Sequence, residues 1–307
     1  MAVPLVPPGR LIDVGGFNLH VHSVGRGATV VLEAALAGSA LSWTLVQPHV
    51  ARFARAVAYD RAGFGWSDAG PLPRTAGRVA DELRVLLDRA GERPPFVLVG
   101  HSFGGLVMRI FAHRYARDTR ALVLVDPAHP EDWVQPAAKE QERIDKGVAL
   151  CRQGVALARW RVPHLVAALI GAGAFTPARA IVRVATRGRF TRRDEGILGL
   201  LRKLPAEAQR PLRRYWSRGT FFEALGSQIE TISTSAAEVI ETAGVGYGDL
   251  PLVTISRTDP GDYRRAQQDR LAALSTRGRH VIADHSGHWV PLDEPELVVS
   301  VIRELAG

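Results

Sequence analysis

Residues 96–105 read FVLVGHSFGG and hold the most informative pattern in this 307-residue sequence. A short apolar run ends at Gly100, a single serine, Ser102, stands between glycines, and residues 106–115 follow with a helical period. The pattern predicts a strand, a sharp turn and a helix. Such a turn strains its apex residue, so the residues two before and two after it must be small, as Gly100 and Gly104 are. We therefore expect Ser102 to stand exposed at the end of a strand, in the position of a nucleophile.

The remainder of the chain alternates between strand and helix patterns. An alternating segment at 10–24 contains a Gly-Gly pair and predicts a β-hairpin. Uninterrupted apolar runs predict buried strands, which lie at 29–33, 55–60, 96–100, 121–126, 251–256 and 279–283. Because helical patterns separate these runs, we expect a parallel sheet wrapped by helices. Only helical periodicity is seen from about residue 131 to 249, so the prediction is an α/β core, 1–130 and 250–307, interrupted by an all-helical insertion, 131–249.

Composition limits the class of protein. Apolar residues make up 46% and charged residues 23% of the chain, which is typical of a soluble globular protein. The single cysteine, Cys151, cannot form an intramolecular disulfide, and we expect it to be a small buried hydrophobe. The first residues lack a signal-peptide pattern and no apolar run is long enough to span a membrane, so we expect a cytoplasmic protein. The net charge of +8 comes mainly from arginines without interleaved aromatics, and we expect no nucleic-acid partner.

A serine nucleophile needs a histidine as its base. His288 lies in the predicted loop between the last strand and the final helix. Because parallel strands end at the same edge of a sheet, this loop should emerge beside Ser102. His285 is the nearest competitor, and we expect it to be structural. His101 lies inside the turn with its side chain directed away from the apex, so we expect it to pack or to form a hydrogen bond.

The orienting acid and the oxyanion donors complete the predicted site. Asp126 ends the strand that follows the Ser102 turn, and Asp259 follows a later strand. Both lie between the serine and the histidine, so chain order does not separate them. Backbone N–H groups suit an oxyanion because they are preorganised donors. We expect one from Phe103, at the start of the helix, and one from Leu36, in the small-residue loop 34–38.

Three motifs resemble the α/β-hydrolase superfamily over essentially the whole core. They are the serine turn at 100–105, the segment YDRAGFGWS at 59–67 and the segment SGHWVPLDEPE at 286–296. The resemblance implies an eight-stranded, mostly parallel sheet, a helical cap inserted after the sixth strand, and no cofactor or metal. It also implies Ser102 as the nucleophile, in contrast to the dehalogenase and epoxide-hydrolase branches, where the apex residue is an aspartate.

Two departures from the superfamily pattern affect the site. The oxyanion loop begins Glu33-Ala34-Ala35-Leu36, where a His-Gly dipeptide is usual, although its small residues still permit close backbone approach. The context of Asp259 is irregular and about one residue short, so we favour Asp126, because some members carry the acid after strand six. In the segment 59–67, which matches a superfamily motif, we expect Asp60 and Arg61 to be structural. They should form an ion pair and turn hydrogen bonds that hold the pocket wall.

The helical insertion should lie over Ser102 and form the substrate pocket, with Trp43, Phe103 and Trp289 as candidate walls. Residues 162–175 are almost wholly apolar, which predicts either a helix buried against the core or a lid that docks on lipid. Arginines far outnumber acids in the following segment. They indicate solvated helix faces, or attraction to an acidic head group or an anionic membrane surface.

The predicted activity is that of a serine hydrolase acting on a carboxylic ester, with a hydrophobic small molecule as the substrate. The same residues would serve a carbon–carbon bond hydrolase, an amidase or an aminopeptidase. An aminopeptidase is disfavoured, since the insertion has no obvious acidic cluster to recognise a free α-amine. A protein of another class, a catalytically silent α/β-hydrolase scaffold, would require a broken triad. The acyl and alcohol parts of the substrate and the oligomeric state are not predicted by the sequence.

Overall fold

The computed structural model describes residues 8–190, 198–243, 246–258 and 261–307. The strands are β1 (Arg10–Asp13), β2 (Asn18–Val24), β3 (Thr29–Glu33), β4 (Arg55–Tyr59), β5 (Phe96–His101), β6 (Thr119–Val125), β7 (Leu252–Arg257) and β8 (Gly278–Ala283). The α-helices are α1 (Gln47–Val50), α2 (Ala76–Arg89), α3 (Phe103–Arg114), α4 (Ala138–Ala158), α5 (Val162–Gly171), α6 (Phe175–Ala185), α7 (Leu198–Lys203), α8 (Ala206–Tyr215), α9 (Gly219–Glu230), α10 (Ile232–Ala243), α11 (Gly261–Ala272), α12 (Val290–Asp293) and α13 (Pro295–Ala306).

All eight strands join in one sheet of order β1-β2-β4-β3-β5-β6-β7-β8. The β1–β2 hairpin and the β2–β4 pair are antiparallel, and every other pair is parallel. The predicted eight-stranded, mostly parallel sheet is therefore confirmed. Because β3 to β8 run in the same direction, their carboxyl ends lie along one edge. The loops that carry Leu36, Ser102, Asp126 and His288 all leave from that edge.

The central strands are buried on both faces, which is why they read as continuous apolar runs. Every residue of β3 and of β5 is buried. On one face the core contains side chains of α2, α3 and α10, such as Leu83, Phe111 and Val239. On the other face it contains side chains of α1 and α13, such as Val50 and Ile302. The sheet thus lies between two layers of helices.

Helices α4 to α10 lie between β6 and β7, where the sequence predicted an insertion. Helices α7, α8 and α9 share a third apolar cluster with core-loop residues that include Ala37, Phe64 and Leu292. This cluster packs the inserted helices onto the loops that follow the strands. The last of them, α10, packs instead against α2 and α3. The division into a core and a cap at residues 131 and 249 stays a prediction.

The structure contradicts one of the two alternatives for residues 162–175 and the expectation that Trp43 forms a pocket wall. Helix α5 contains no buried side chain, so it is not a helix buried against the core. Trp43 is 0% exposed and belongs to the core cluster beneath the sheet, so it does not line a solvent-accessible pocket. An apolar pattern shows that a segment has an apolar face without showing what that face meets. The expectation for Cys151 is confirmed, because the residue is buried and burial raises the pKa of its thiol to about 12.

Candidate active site

Ser102 occupies the single position between β5 and α3, at φ 53° and ψ −117°. A residue with a side chain pays of order 1–3 kcal/mol for such a backbone conformation, so the surroundings must enforce it. Close packing of the turn does so. A Cβ on Gly100 would lie 2.5 Å from the Gly104 carbonyl oxygen, and a Cβ on Gly104 would lie 2.7 Å from the Ala34 carbonyl oxygen. Only glycine fits these two positions, as the sequence predicted.

His288 and Asp126 meet beside this turn. The Nδ1–H of His288 donates to Oδ2 of Asp126 at 2.6 Å. Burial raises the pKa of the Asp126 carboxyl, but the hydrogen bond and charge of His288 and the charge of Arg257 outweigh it and lower that pKa below its ordinary value. An ionised carboxylate only accepts hydrogen bonds, so a neutral His288 ring bonded to it carries its proton on Nδ1 and keeps the Nε2 lone pair available. Nε2 can therefore act as a base.

His101 holds His288 through a hydrogen bond and a ring contact. Its Nε2–H donates to the backbone carbonyl of His288 at 2.7 Å, and the two ring centroids lie 4.9 Å apart. Burial and the neighbouring His288 lower the pKa of His101 to about 3, so its ring is neutral. A neutral His101 ring holds the His288 loop without adding a positive charge beside the His288 imidazole. The sequence-based expectation of a hydrogen-bonding role is confirmed.

His285 and Asp259 are the other residues that the sequence offers for these roles. Asp259, the alternative acid, lies outside the described residues. His285 is exposed, and its backbone N–H donates to Oε1 of Glu294 at 2.6 Å. In the parts of the chain that the structure describes, no group of three or more His, Cys, Asp and Glu side chains could hold a metal ion. The structure thus brings Asp126 and His288 together next to Ser102, and their catalytic roles stay predictions.

The loop after β3, residues 34–38, carries Leu36. Its backbone carbonyl groups accept hydrogen bonds from side chains elsewhere in the chain. Nη1 of Arg61 donates to the Ala34 oxygen at 2.9 Å, and Nη2 donates to the Ala35 oxygen at 2.6 Å. From the inserted helices, the side chains of Tyr215 and Trp216 both donate to the Ala37 oxygen at 3.1 Å. Side chains from two parts of the chain therefore fix this loop.

The second predicted donor, Phe103, is the first residue of α3. An N–H group at that position has no acceptor within its own helix, and the helix dipole adds positive potential there. The Phe103 ring centroid lies 5.3 Å from the Arg61 guanidinium carbon. Arg61 thus contacts both segments that carry the predicted donors.

A buried ion pair anchors Arg61. The guanidinium donates to Oε1 of Glu33 at 3.0 Å, and the two side chains are 1% and 2% exposed. The Tyr59 hydroxyl donates to the other carboxylate oxygen. Burial raises the pKa of Glu33, and the charge of Arg61 opposes that rise. The ion pair expected at the turn is therefore formed with residues outside it. Arg61 pairs with Glu33, and Asp60 pairs with His20 at 2.8 Å.

Sequence reasoning noted Glu33 only as a departure from a motif and missed its partner. The available signal was a glutamate at the end of a fully apolar strand, followed by an arginine just after another such strand. A buried carboxylate requires a partner. Strands β3 and β4 are parallel neighbours with Leu32 opposite Ala58, which places Glu33 and Arg61 at adjacent strand ends.

A family model matches most of the chain, and curated relatives match shorter parts of it. A family model described as the alpha/beta hydrolase fold matches residues 28–295. Among curated proteins, the chain is 36% identical over 125 residues to a 2-hydroxy-6-oxo-2,4-heptadienoate hydrolase of Pseudomonas putida. The matched stretch covers 38% of this chain and 44% of that protein. The chain spans less than half the length of the curated relatives it matches.

Two solved structures illustrate the shared fold. The epoxide hydrolase CorEH has a TM-score of 0.69 and 18% sequence identity, covering 96% of this chain and 97% of that one. A thermophilic esterase from Thermogutta terrifontis has a TM-score of 0.66 and 19% identity, covering 94% and 92% of the two chains. At these identities the likeness extends to the fold alone.

Proposed function

This chain belongs to the α/β-hydrolase family, and from that premise we propose that it is a serine hydrolase that cleaves a carboxylic ester through an acyl-enzyme. The observation that carries the proposal is the 2.6 Å hydrogen bond between His288 and Asp126 beside the strained Ser102 turn. A carboxylate, an imidazole and a serine in this order are the parts that acyl transfer requires.

Each proton in the proposed reaction has a defined route. Nε2 of His288 accepts the proton of Ser102 Oγ as that oxygen attacks the ester carbonyl carbon. The tetrahedral intermediate collapses, the alkoxide leaves with the proton from His288, and the acyl group stays on Ser102. Water then attacks the acyl-enzyme with His288 again as the base, which releases the acid and restores the serine. Asp126 keeps the imidazole in its productive tautomer and stabilises the imidazolium.

We further propose that Arg61 orients one oxyanion donor. The carbonyl of Ala35 and the N–H of Leu36 belong to one planar, trans peptide group, so they point in opposite directions. Arg61 donates to that carbonyl, which fixes the direction of the Leu36 N–H. The guanidinium charge also polarises the peptide and strengthens the N–H as a donor. Arg61 is thus a positioning residue in this proposal, and it does not touch the substrate.

Substitution of Arg61 by lysine tests that role. Lysine keeps a positive charge beside Glu33 but cannot reach two carbonyls with fixed geometry. Loss of a complete oxyanion donor costs about 10²–10³ in kcat, so we expect kcat to fall about 10- to 100-fold with little change in KM. The measurement is steady-state hydrolysis of a soluble p-nitrophenyl ester.

Arg74→Lys is the matched control. Arg74 is equally buried and pairs with Glu82 at 2.5 Å, but Glu82 lies on α2, away from the loop at 34–38. We expect both variants to lower the melting temperature and only Arg61→Lys to lower kcat. Equal kcat losses in the two variants would assign Arg61 a purely structural role.

The neighbouring side chains favour a hydrophobic substrate. Leu36, Trp216 and Trp289 are half-buried and pack at the border of the cluster shared by the core loops and the inserted helices. Ser102 at the apex favours esters over epoxides, because the resemblance associates epoxide hydrolases with an aspartate there. A panel of p-nitrophenyl esters of graded acyl length, with fluorophosphonate labelling, tests the proposal. We expect a fluorophosphonate adduct on Ser102, and its absence would indicate a silent scaffold.

The second candidate is hydrolysis of a carbon–carbon bond. The Pseudomonas relative favours it, because the substrate in its name contains no ester or amide bond. Turnover of a 2-hydroxy-6-oxo-2,4-dienoate, followed by the loss of its visible absorbance, would distinguish this activity. We expect the ester panel to give the higher kcat/KM, and the reverse result would select the second candidate.

A further inference from the structure

The end of α4 and the hairpin of α5 and α6 form a surface, residues 159–187, that combines exposed apolar side chains with arginines. We propose that this 159–187 surface docks the protein on an anionic lipid bilayer. The proposal does not depend on the reaction at Ser102. It rests on where the charge of the chain is concentrated, on which apolar side chains face solvent, and on how the two are arranged.

The positive charge is concentrated in one segment. Residues 146–193 hold ten of the 39 basic residues and none of the 31 acidic ones. The rest of the chain has 29 basic and 31 acidic residues and is therefore close to neutral. The net charge of +8 is thus a property of this segment. Clusters of four to eight basic residues near a membrane contribute about 1 kcal/mol per residue through attraction to anionic lipids.

Large apolar side chains are exposed in the same segment. Trp160 is 82% exposed, Val184 79%, Phe175 56% and Leu165 52%. These are four of the nine large hydrophobic side chains exposed in the described residues. Helix α5 itself is apolar apart from His164, and its residues are half-buried or, like Leu165, exposed. Exposed apolar area of this density marks an interaction surface in a folded protein.

Basic and apolar groups alternate along this surface. Trp160 lies between Arg159 and Arg161 at the turn that ends α4, and all three are exposed. On α6, Arg179 and Arg183 are four residues apart and lie one above the other on the helix surface. Ala180 and Val184 have the same spacing and form the neighbouring row. A tryptophan flanked by arginines and rows of basic and apolar side chains are typical of segments that lie in a membrane interface.

The dimensions of α5 fit binding in the plane of the bilayer. With ten residues it is about 15 Å long, about half the thickness of the hydrocarbon layer. Among the described helices, none is long and apolar enough to cross a membrane. The apolar side chains can therefore enter the head-group boundary while the arginines contact lipid phosphates.

Other occupants fit the surface less well. A symmetric dimer through this face would place arginines opposite arginines, because the surface contains no acidic residue that could form ion pairs with them. A nucleic acid would satisfy the arginines but would leave Leu165 and Val184 without an apolar partner. An anionic bilayer provides both kinds of contact at once.

Vesicle co-sedimentation tests the proposal. The full-length protein is mixed with phosphatidylcholine vesicles, with or without about 30% phosphatidylglycerol, at low and high salt. We expect binding to the anionic vesicles that weakens as salt rises. Trp160→Ser/Phe175→Ser should weaken it about 10-fold or more through lost apolar burial. Arg159→Gln/Arg183→Gln should weaken it about 30-fold, the effect of two lost charges near the surface.

Two matched controls separate the surface from general charge and hydrophobicity. Arg265→Gln/Arg270→Gln removes the same charge from the exposed face of α11, and Leu72→Ser removes an exposed apolar side chain elsewhere. Both should bind as the wild type does. Weakening by the controls equal to that of the surface variants would overturn the proposal, as would equal binding to neutral vesicles.

Two further results would contradict a bilayer as the occupant. Light scattering could show a dimer that Trp160→Ser/Phe175→Ser dissociates, in which case a second copy covers the surface. A single-stranded oligonucleotide could bind with equal affinity to the wild type and to that variant while the vesicles fail to bind, which would indicate a nucleic-acid site. All substituted side chains are exposed, so circular dichroism should show folded variants.

Discussion

Replacement of Ser102 by alanine is expected to lower kcat/KM for a p-nitrophenyl ester by about 10⁴-fold or more, because no other group in the proposed site forms the acyl-enzyme. The residual rate should reflect the oxyanion donors and substrate binding alone. The substitution should leave the fold unchanged. The Ser102 side chain makes no capping hydrogen bond to α3, and alanine meets the same strain at φ 53° as serine does. The measurement pairs steady-state kinetics with a thermal melt.

Ser300→Ala is a suitable control for this experiment. Ser300 lies on α13, is exposed and donates only to the Leu297 carbonyl of its own helix at 2.8 Å. We expect a fluorophosphonate to label this variant and the wild type equally and to leave Ser102→Ala unlabelled. Retained turnover or labelling in Ser102→Ala would reject the serine as the nucleophile and with it the proposed mechanism.

Asp126→Asn is expected to give the second large effect, a fall in kcat of about 10³–10⁴-fold. The amide carries no charge to stabilise the imidazolium, and its NH₂ group can donate to Nδ1 and leave the proton on Nε2, the wrong tautomer for a base. The backbone should tolerate the change. Asp126 has φ 37°, and asparagine is among the residues that adopt the left-handed region most readily. The measurement is kcat at a pH where the wild type is fully active.

Asp259→Asn completes the comparison. If Asp126 orients His288, the change at residue 259 should alter kcat by less than about 3-fold, which is less than about 0.7 kcal/mol in the activation free energy. A large loss in Asp259→Asn together with near-normal activity in Asp126→Asn would exchange the two assignments. Equal large losses would indicate that both carboxylates act on the base.

Much of the fold could be predicted from local patterns. The glycines around Ser102 and the apolar runs of β3, β5 and β6 each depend on contacts close in sequence. Parallel strands also imply a shared edge for the loops that follow them, which is why His288 could be expected beside Ser102. The environment of α5 could not be predicted in this way. Its apolar composition fits burial or exposure equally well, and the choice depends on helices distant in sequence.

The candidate site, too, was predictable where it depends on local sequence and not where it depends on distant parts of the chain. Chain order left Asp126 and Asp259 in competition, because both follow a predicted strand, and only the superfamily resemblance favoured Asp126. The pairing of His288 with Asp126 depends on the β5–β6 adjacency and on the left-handed backbone of Asp126, which are three-dimensional facts. The contact of Arg61 with Ala34 and Ala35 depends likewise on the β3–β4 register. Local chemistry indicated which residue types the proposed site needs, and strand order placed Asp126 where it bonds to His288.

The backbone hydrogen bonds around Ser102 limit where the chain can accept insertions and deletions. The Ser102 N–H donates to the Val125 carbonyl at 3.0 Å, and the Ala128 N–H donates to the Ser102 carbonyl at 3.1 Å. The Asp126 N–H is in turn held by the Ile255 carbonyl at 2.6 Å. Ser102 and Asp126 are thus linked by backbone hydrogen bonds that flank residue 126 on both sides. Insertions or deletions at 125–128 would displace both at once, so length variation in homologues should spare this segment and accumulate among the inserted helices.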